Sequence, residues 1–207
     1  SDALELAARN NMREAILRLT LTRGTGRRGY SIAGVEHPNC VMSMHELPER
    51  PAAWRLATVP TRLPVGDPLA RYKTCNKLLQ ILARKEAEAR GANEALLLNS
   101  MGVVAEAAAA NIFWIQAGTV CTPPLTAGVL PGVTRAVVME LCGGLSLPVR
   151  ECEVGREALF QAQGVFLTLS SLGVMPVASL DDAELGPSHA VAQLAAHYDE
   201  RVYTETT

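Results

Sequence analysis

Three stretches of this sequence concentrate residues that can bind or react with a small molecule. They read TRGTGRRGY (22–30), YKTCNKLL (72–79) and VAEAAAANIFW (104–114), and the last is followed by GVLPGVTR (128–135). GVLPGVTR predicts a glycine-bearing turn that enters a helix, whose first amides and the Thr134 hydroxyl can bind a phosphate group. It is not a nucleotide-binding P-loop, because the pattern Gly-x4-Gly-Lys-Ser/Thr is absent from the sequence.

A lysine and a glutamate stand in settings that favour chemistry. Lys73 lies between a proline-rich segment and an apolar helix, where partial desolvation would favour a neutral, nucleophilic amine. Glu106 lies in a largely apolar stretch, and a buried carboxylate there needs a cationic partner or a ligand. A phosphate cradle, an amine nucleophile and a buried carboxylate together are the components of a pyridoxal-phosphate site.

Each candidate residue also has a plain structural interpretation. Lys73 can be a solvated side chain, Glu106 can form a salt bridge at a strand edge, and Thr134 can simply cap its helix. Arg28 can be a loop charge on a wet surface, and Tyr30 can pack against the protein rather than stack on a substrate. The residue types alone leave these alternatives open.

The stretch from Arg71 to Arg135 resembles the core of the fold-type IV pyridoxal-phosphate enzymes, the class IV aminotransferase superfamily. The similarity extends from about Ala15 to the C-terminus and preserves the order and spacing of the motifs. Within the superfamily, the chain is most similar to the 4-amino-4-deoxychorismate lyases. The resemblance implies pyridoxal 5′-phosphate as the cofactor and a small amino compound as the substrate.

The family motifs imply roles for four residues around the cofactor. In this superfamily the lysine of a K-[ST/H]-x-N-x-L motif bonds covalently to the cofactor, and the matching residue is Lys73, not Lys77. The glutamate that precedes a run of small residues and Asn-[IVL]-Phe pairs with the pyridine nitrogen, which implies that role for Glu106. The G-[IV]-[TM]-R turn holds the phosphate, which implies that role for Val133 and Thr134.

Two further motifs extend the predicted site. In FLTLSSLGVMPV (166–177), the resemblance implies that Ser170 or Ser171 reaches the phosphate. The pattern TRG-x-x-x-R-x-[YH] supplies a carboxylate-binding arginine in the D-amino-acid aminotransferase branch. This similarity implies a substrate-binding role for Arg28, with Tyr30 nearby.

The chain departs from the family pattern in three places. Relatives carry a further N-terminal segment with an arginine that helps bind the phosphate, and we expect this chain to lack it. Ala107–Ala110 lacks the hydroxyls of some relatives, and Leu169 stands where many lyases have asparagine. Despite these departures, the resemblance implies a lyase of the folate pathway that converts 4-amino-4-deoxychorismate to 4-aminobenzoate and pyruvate. Two alternatives remain: a class IV aminotransferase acting on D-amino or branched-chain amino acids, and a truncated, non-catalytic relative.

Hydrophobic periodicity predicts the elements that must position these residues. Helices are predicted by composition and helical spacing over 2–14, 73–90, 131–142, 155–162 and 188–202. Strands are predicted by alternation or short apolar runs over 15–23, 40–44, 53–59, 94–99, 111–115, 119–122, 147–154 and 164–170. Strands and helices alternate in the second part of the chain, which is typical of a mixed α/β (α+β) protein.

The best linker candidate is the proline-rich segment PTRLPVGDPLA at 60–70. We therefore predict a linker at 63–69, between the remainder of a small N-terminal domain (1–62) and a large cofactor-binding domain (70–207). The resemblance implies a two-domain D-amino-acid aminotransferase-like fold, incomplete at its N-terminus. It also implies a homodimer whose partner subunit helps to wall the site.

Composition argues against several other classes of protein. The 207 residues carry a formal net charge of −2 and only 4% aromatic residues, so nucleic-acid binding is not expected. No apolar run approaches a membrane span. The five cysteines are odd in number and form no Cys-x-x-Cys pair, and the histidines show no metal-ligand spacing. These features predict a cytoplasmic protein without a metal site.

Overall fold

The computed structural model describes residues 2–206, apart from the side chain of Thr206, and divides the chain into two compact units. The smaller unit extends to Glu49 and the larger one begins at Arg50. This division differs from the predicted linker at 63–69, since residues 50–62 belong to the larger unit. The reason is the strand Trp54–Leu63, which pairs with two other strands of the larger unit's sheet.

The smaller unit contains a helix and a two-stranded sheet. The helix α1 covers Asp2–Arg9, and the antiparallel strands β1 and β2 cover Ile16–Thr22 and Asn39–His45. The helix predicted over 2–14 ends early because Asn11 adopts a left-handed conformation, φ 52°, which closes the last turn. The predicted strand 15–23 is confirmed, although its leucines at alternate positions remain exposed within this unit.

The larger unit is built on one nine-stranded sheet. Its strands, in chain order, are β3 (Trp54–Leu63), β4 (Glu94–Asn99), β5 (Val104–Ala107), β6 (Asn111–Gln116), β7 (Thr119–Thr122), β8 (Val149–Glu151), β9 (Gly164–Leu169), β10 (Gly173–Leu180) and β11 (Ala183–Glu184). Six of them close into a ring in the order β10-β3-β4-β5-β6-β9, because β9 pairs with both β6 and β10. Alternate apolar residues of these strands fill the interior of the ring.

Three helices cover the outside of this ring: α2 (Leu78–Ala89), α3 (Val133–Gly144) and α4 (His189–Thr206). The α2 helix packs Ala83 and Ala87 against β3 and β4. The α3 and α4 helices cover the two stacked rings of Phe113 and Phe166 on β6 and β9. Part of the outer face of β5, β6 and β9 remains open between α2 and α3.

Most predicted elements of the larger unit are confirmed, with shifted ends. The helix predicted from residue 73 begins only at Leu78, since Thr74, Cys75 and Asn76 are weak helix formers. None of the helices in the described part of the chain is long and apolar enough to cross a membrane. No cluster of three potential metal ligands occurs among residues 2–206.

Candidate active site

The open part of the sheet's outer face is a cavity of about 620 Å³. Six of the residues that the sequence singles out line it, although they come from four separate segments: Lys73, Glu106, Val133, Thr134, Ser170 and Ser171. The structure thus brings these side chains around one space. Their individual roles remain predictions.

The floor of the cavity is a row of polar residues across three neighbouring strands. Glu106 on β5 pairs with Asn111 on β6, and Asn111 pairs with Thr168 on β9. Residues paired in this way project from the same face of the sheet. Thr168 is 2% exposed, and its hydroxyl makes no hydrogen bond within residues 2–206.

Glu106 has an unusual ionisation for a glutamate. Burial raises the pKa of its carboxyl from 4.5 to about 7, against the opposing effects of a hydrogen bond from Leu130 and the charges of Lys77 and Lys73. The Leu130 backbone N–H donates to Glu106 Oε2 over 2.9 Å. Near neutral pH the side chain can therefore hold a proton or share one with a basic ligand atom.

The N-terminus of α3 opens onto the same cavity. Gly132 is its N-cap residue, and no side chain caps the helix. The first N–H groups of a helix have no intrahelical partner, and together with the helix dipole they attract anions. Val133 and Thr134 lie in this first turn, and the cavity wall beside it includes Ser170 and Ser171.

A buried arginine holds the first turn of α3 in place. Arg135 is 6% exposed and donates from its guanidinium to the Pro123 carbonyl oxygen over 3.1 Å. It also forms an ion pair with Glu151 at the end of β8. These two contacts connect the first turn of α3, which lines the cavity, to the segment after β7 and to β8.

The two lysines near the site differ in burial. Lys73 is exposed at the cavity edge, whereas Lys77 is half-buried as the N-cap of α2. Both positive charges lower the pKa of Glu106. Both lysines line the cavity together with Glu106, and the choice of Lys73 continues to rest on the motif.

The predicted substrate-binding residues lie in the smaller unit. Arg28 and Tyr30 belong to the segment between β1 and β2, and both are exposed within that unit. Their role stays a prediction. Sequence reasoning assigned no role in the site to Thr168 or Asn111. The spacing Glu-x4-Asn in a tight hairpin is the signal that places Asn111 opposite Glu106.

A family model described as amino-transferase class IV matches residues 1–180. The chain belongs to the class IV amino-transferase family. Two curated members are similar to it: the aminodeoxychorismate lyase of Vibrio harveyi, 32% identical over 173 residues (81% of this chain, 64% of the relative), and a putative branched-chain-amino-acid aminotransferase of Methanocaldococcus jannaschii, 32% identical over 181 residues (86% and 63%). This class IV chain thus spans less than two thirds of these relatives' length.

Solved structures of class IV proteins share the fold. One is a putative 4-amino-4-deoxychorismate lyase from Legionella pneumophila, with a TM-score of 0.90 and 25% identity over 96% of this chain and 74% of that one. Another is a branched-chain aminotransferase from Thermobaculum terrenum in its PLP form, with a TM-score of 0.83 and 26% identity over 98% and 69%. The predicted fold class is therefore confirmed.

Proposed function

We propose that this chain is the cofactor-binding part of a pyridoxal 5′-phosphate-dependent lyase. The substrate would be 4-amino-4-deoxychorismate, and the products 4-aminobenzoate and pyruvate, in the folate pathway. The observation that carries the proposal is the cavity in which Lys73, Glu106 and the N-terminus of α3 face one another. The similarity to the lyase of Vibrio harveyi supports the choice of reaction.

The residues of the cavity fit this cofactor at both of its ends. A carboxyl with a pKa of about 7, that of Glu106, can hold a proton opposite a pyridine nitrogen. The uncapped first turn of α3, with Val133 and Thr134, would bind the phosphate, and Ser170 or Ser171 would add a hydroxyl. Lys73 would supply the amine that bonds to the cofactor.

The bound cofactor supplies an electron sink for the substrate carbon that carries the amino group. Lys73 would be the general base that takes the proton from that carbon. Glu106 would hold the proton of the ring nitrogen and so keep the ring electron-poor. By removing the carbon-bound proton, Lys73 would allow the ring C–O bond to the enolpyruvyl group to break, so that the substrate ring aromatises to 4-aminobenzoate. The enolate that leaves would take up a proton, from Lys73 or from water, to become pyruvate.

The apolar wall of the cavity supports a lyase. Ala107–Ala110 line the cavity beside Glu106. They belong to the sequence AEAAAANIFW, whose Ala-Asn-x-Phe-Trp ending is typical of the lyase branch. An aminotransferase is the second candidate, because branched-chain aminotransferase relatives match at the same identity and Leu169 replaces the asparagine of many lyases.

Pyruvate release tests the reaction. The full-length enzyme, loaded with pyridoxal phosphate, receives aminodeoxychorismate and no keto acid, and pyruvate is measured. A lyase releases pyruvate because it needs no amino acceptor. Turnover of D-alanine or leucine with 2-oxoglutarate, without pyruvate release from aminodeoxychorismate, would replace the lyase by an aminotransferase. Absence of cofactor binding would indicate a non-catalytic relative.

Borohydride reduction tests the choice of lysine. Reduction of the cofactor-loaded protein should leave a phosphopyridoxyl label on Lys73, and Lys73→Ala should abolish both the label and the visible absorbance. Lys77→Ala is the matched control, since Lys77 lines the same cavity as Glu106. A label on Lys77 would overturn the assignment.

We propose further that the protein is a homodimer. Three residues at helical spacing on α2 are more than half exposed: Leu78, Ile81 and Leu82, at 62%, 61% and 54%. A contiguous apolar strip of this kind favours burial against a second copy. Sedimentation of the intact protein should give a dimer, and a triple change of these residues to Gln should give a monomer. A wild-type monomer would refute the proposal.

A cytoplasmic location accords with this function. The five cysteines are all free in the described structure, and reduced thiols are usual in the cytoplasm. Cell fractionation of a tagged full-length protein should recover it with cytoplasmic markers. Recovery outside the cytoplasm would contradict the proposal.

A further inference from the structure

Asn111 connects the two ends of the cavity. Its side-chain N–H donates to the Leu130 carbonyl oxygen over 2.8 Å, and the same nitrogen lies 3.5 Å from Glu106 Oε2. The Leu130 N–H in turn donates to that carboxylate oxygen over 2.9 Å. One amide group therefore ties the Glu106 carboxylate to the backbone segment that leads into α3.

The other atom of this amide touches the start of the helix. A Cβ placed on Gly132 would lie 2.1 Å from Asn111 Oδ1 and 3.3 Å from its Cγ. Only glycine allows so close an approach. Asn111 Nδ2 donates a hydrogen bond to the Leu130 carbonyl oxygen. A rotation of the amide that moved its oxygen away from residue 132 would break this hydrogen bond.

The backbone of Asn111 is fixed on both sides. It pairs with Glu106 on β5 and with Thr168 on β9, in the middle of the closed ring of strands. Its side chain is buried, with the residue 7% exposed. From this buried position the amide reaches both the carboxylate and the residue at the helix N-terminus.

We infer that Asn111 is a positioning residue that sets the distance between the Glu106 carboxyl and the first amides of α3. The inference rests on the proposed function, in which one rigid molecule must meet the carboxyl with its ring nitrogen and α3 with its phosphate. Asn111 acts through Glu106 and Gly132 rather than on the reacting atoms. Replacing Asn111 should therefore weaken the binding of ligands that contact both Glu106 and the N-terminus of α3.

Two single changes and their combination test this inference in the full chain. Asn111→Ala should weaken pyridoxal 5′-phosphate binding about 10-fold, as expected from the loss of a buried hydrogen bond. Gly132→Ala should weaken it about 10- to 100-fold, because the new methyl displaces the Asn111 amide. The double variant should bind within about threefold of Asn111→Ala, since the clash is gone. Gly143→Ala, in the same helix with no atom near its Cβ, is the matched control and should bind like wild type.

The ligand without its phosphate provides the second measurement. Pyridoxal would meet Glu106 and Lys73 but has no phosphate to place at α3, so Asn111→Ala should weaken its binding less than that of pyridoxal phosphate. The preference for pyridoxal phosphate over pyridoxal should therefore fall severalfold. Affinities are read from absorbance titrations, and circular dichroism confirms that each variant is folded.

The outcomes separate the two proposals. Multiplicative effects of Asn111→Ala and Gly132→Ala, or an unchanged preference for the phosphorylated ligand, would refute the positioning role while leaving the proposed function intact. No saturable binding to the wild-type chain would refute the proposed function and this inference with it.

Discussion

The Glu106→Gln substitution should stabilise the cofactor-free chain at alkaline pH. The carboxyl lies in the cavity floor, and burial raises its pKa from 4.5 to about 7. Glutamine keeps a carbonyl oxygen that can accept a hydrogen bond from the Leu130 N–H, but its amide does not titrate in this pH range. The substitution therefore removes the titration and preserves the main hydrogen bond.

The sign and size of the effect follow from proton linkage. In the unfolded chain this carboxyl loses its proton near pH 4.5, whereas in the folded chain it keeps the proton until its pKa of about 7. Between these values the folded state binds more protons, so the unfolding free energy of the wild type decreases as pH rises. Each pH unit between the two pKa values, 4.5 and about 7, lowers the unfolding free energy of the wild type by about 1.4 kcal/mol. Between pH 4.5 and pH 8 the wild type should therefore lose about 3 kcal/mol of stability.

Urea unfolding followed by circular dichroism measures this difference. Wild type and Glu106→Gln are compared between pH 4.5 and pH 8, and the variant should gain about 3 kcal/mol relative to wild type across that range. Glu153→Gln, which changes an exposed carboxylate, is the control and should show no such gain. The raised pKa of the buried carboxyl would be refuted if the difference in unfolding free energy between Glu106→Gln and the wild type did not change with pH, or changed in the opposite direction.

Three further substitutions test the packing around the site. Thr122→Val removes a buried hydroxyl that donates to the Ile112 carbonyl oxygen over 2.9 Å, so urea unfolding should show a loss of about 1–2 kcal/mol. Arg135→Met removes the ion pair with Glu151 and frees the first turn of α3; pyridoxal phosphate affinity should fall about 10-fold, and unchanged affinity would contradict the anchoring role. Gly128→Ala forces a side chain into a left-handed conformation, φ 91°, and the melting temperature should drop by an amount equivalent to about 1 kcal/mol. An undiminished melting temperature would show that the turn can relax.

Local patterns in the sequence predicted many elements of the larger unit. The apolar run Glu94–Asn99 and the hairpin formed by β6 and β7 follow from short-range patterning and a tight turn, and both are present. The start of α2 was placed too early, at residue 73 instead of Leu78. Thr74, Cys75 and Asn76 are weak helix formers, and this local signal marks where the helix does not yet begin.

The sequence by itself determined the family and the residue types of the site, because the motif residues around Lys73, Glu106 and Thr134 are close together in the chain or follow a characteristic order. Only the tertiary structure placed Thr168 in one row with Glu106 and brought β9 beside β6. Pairing between strands so distant in sequence depends on which arrangement buries the interior of the ring, and no local pattern encodes that choice. The pKa of Glu106 near 7 is likewise a tertiary property, since it arises from burial by elements that converge only in the folded chain.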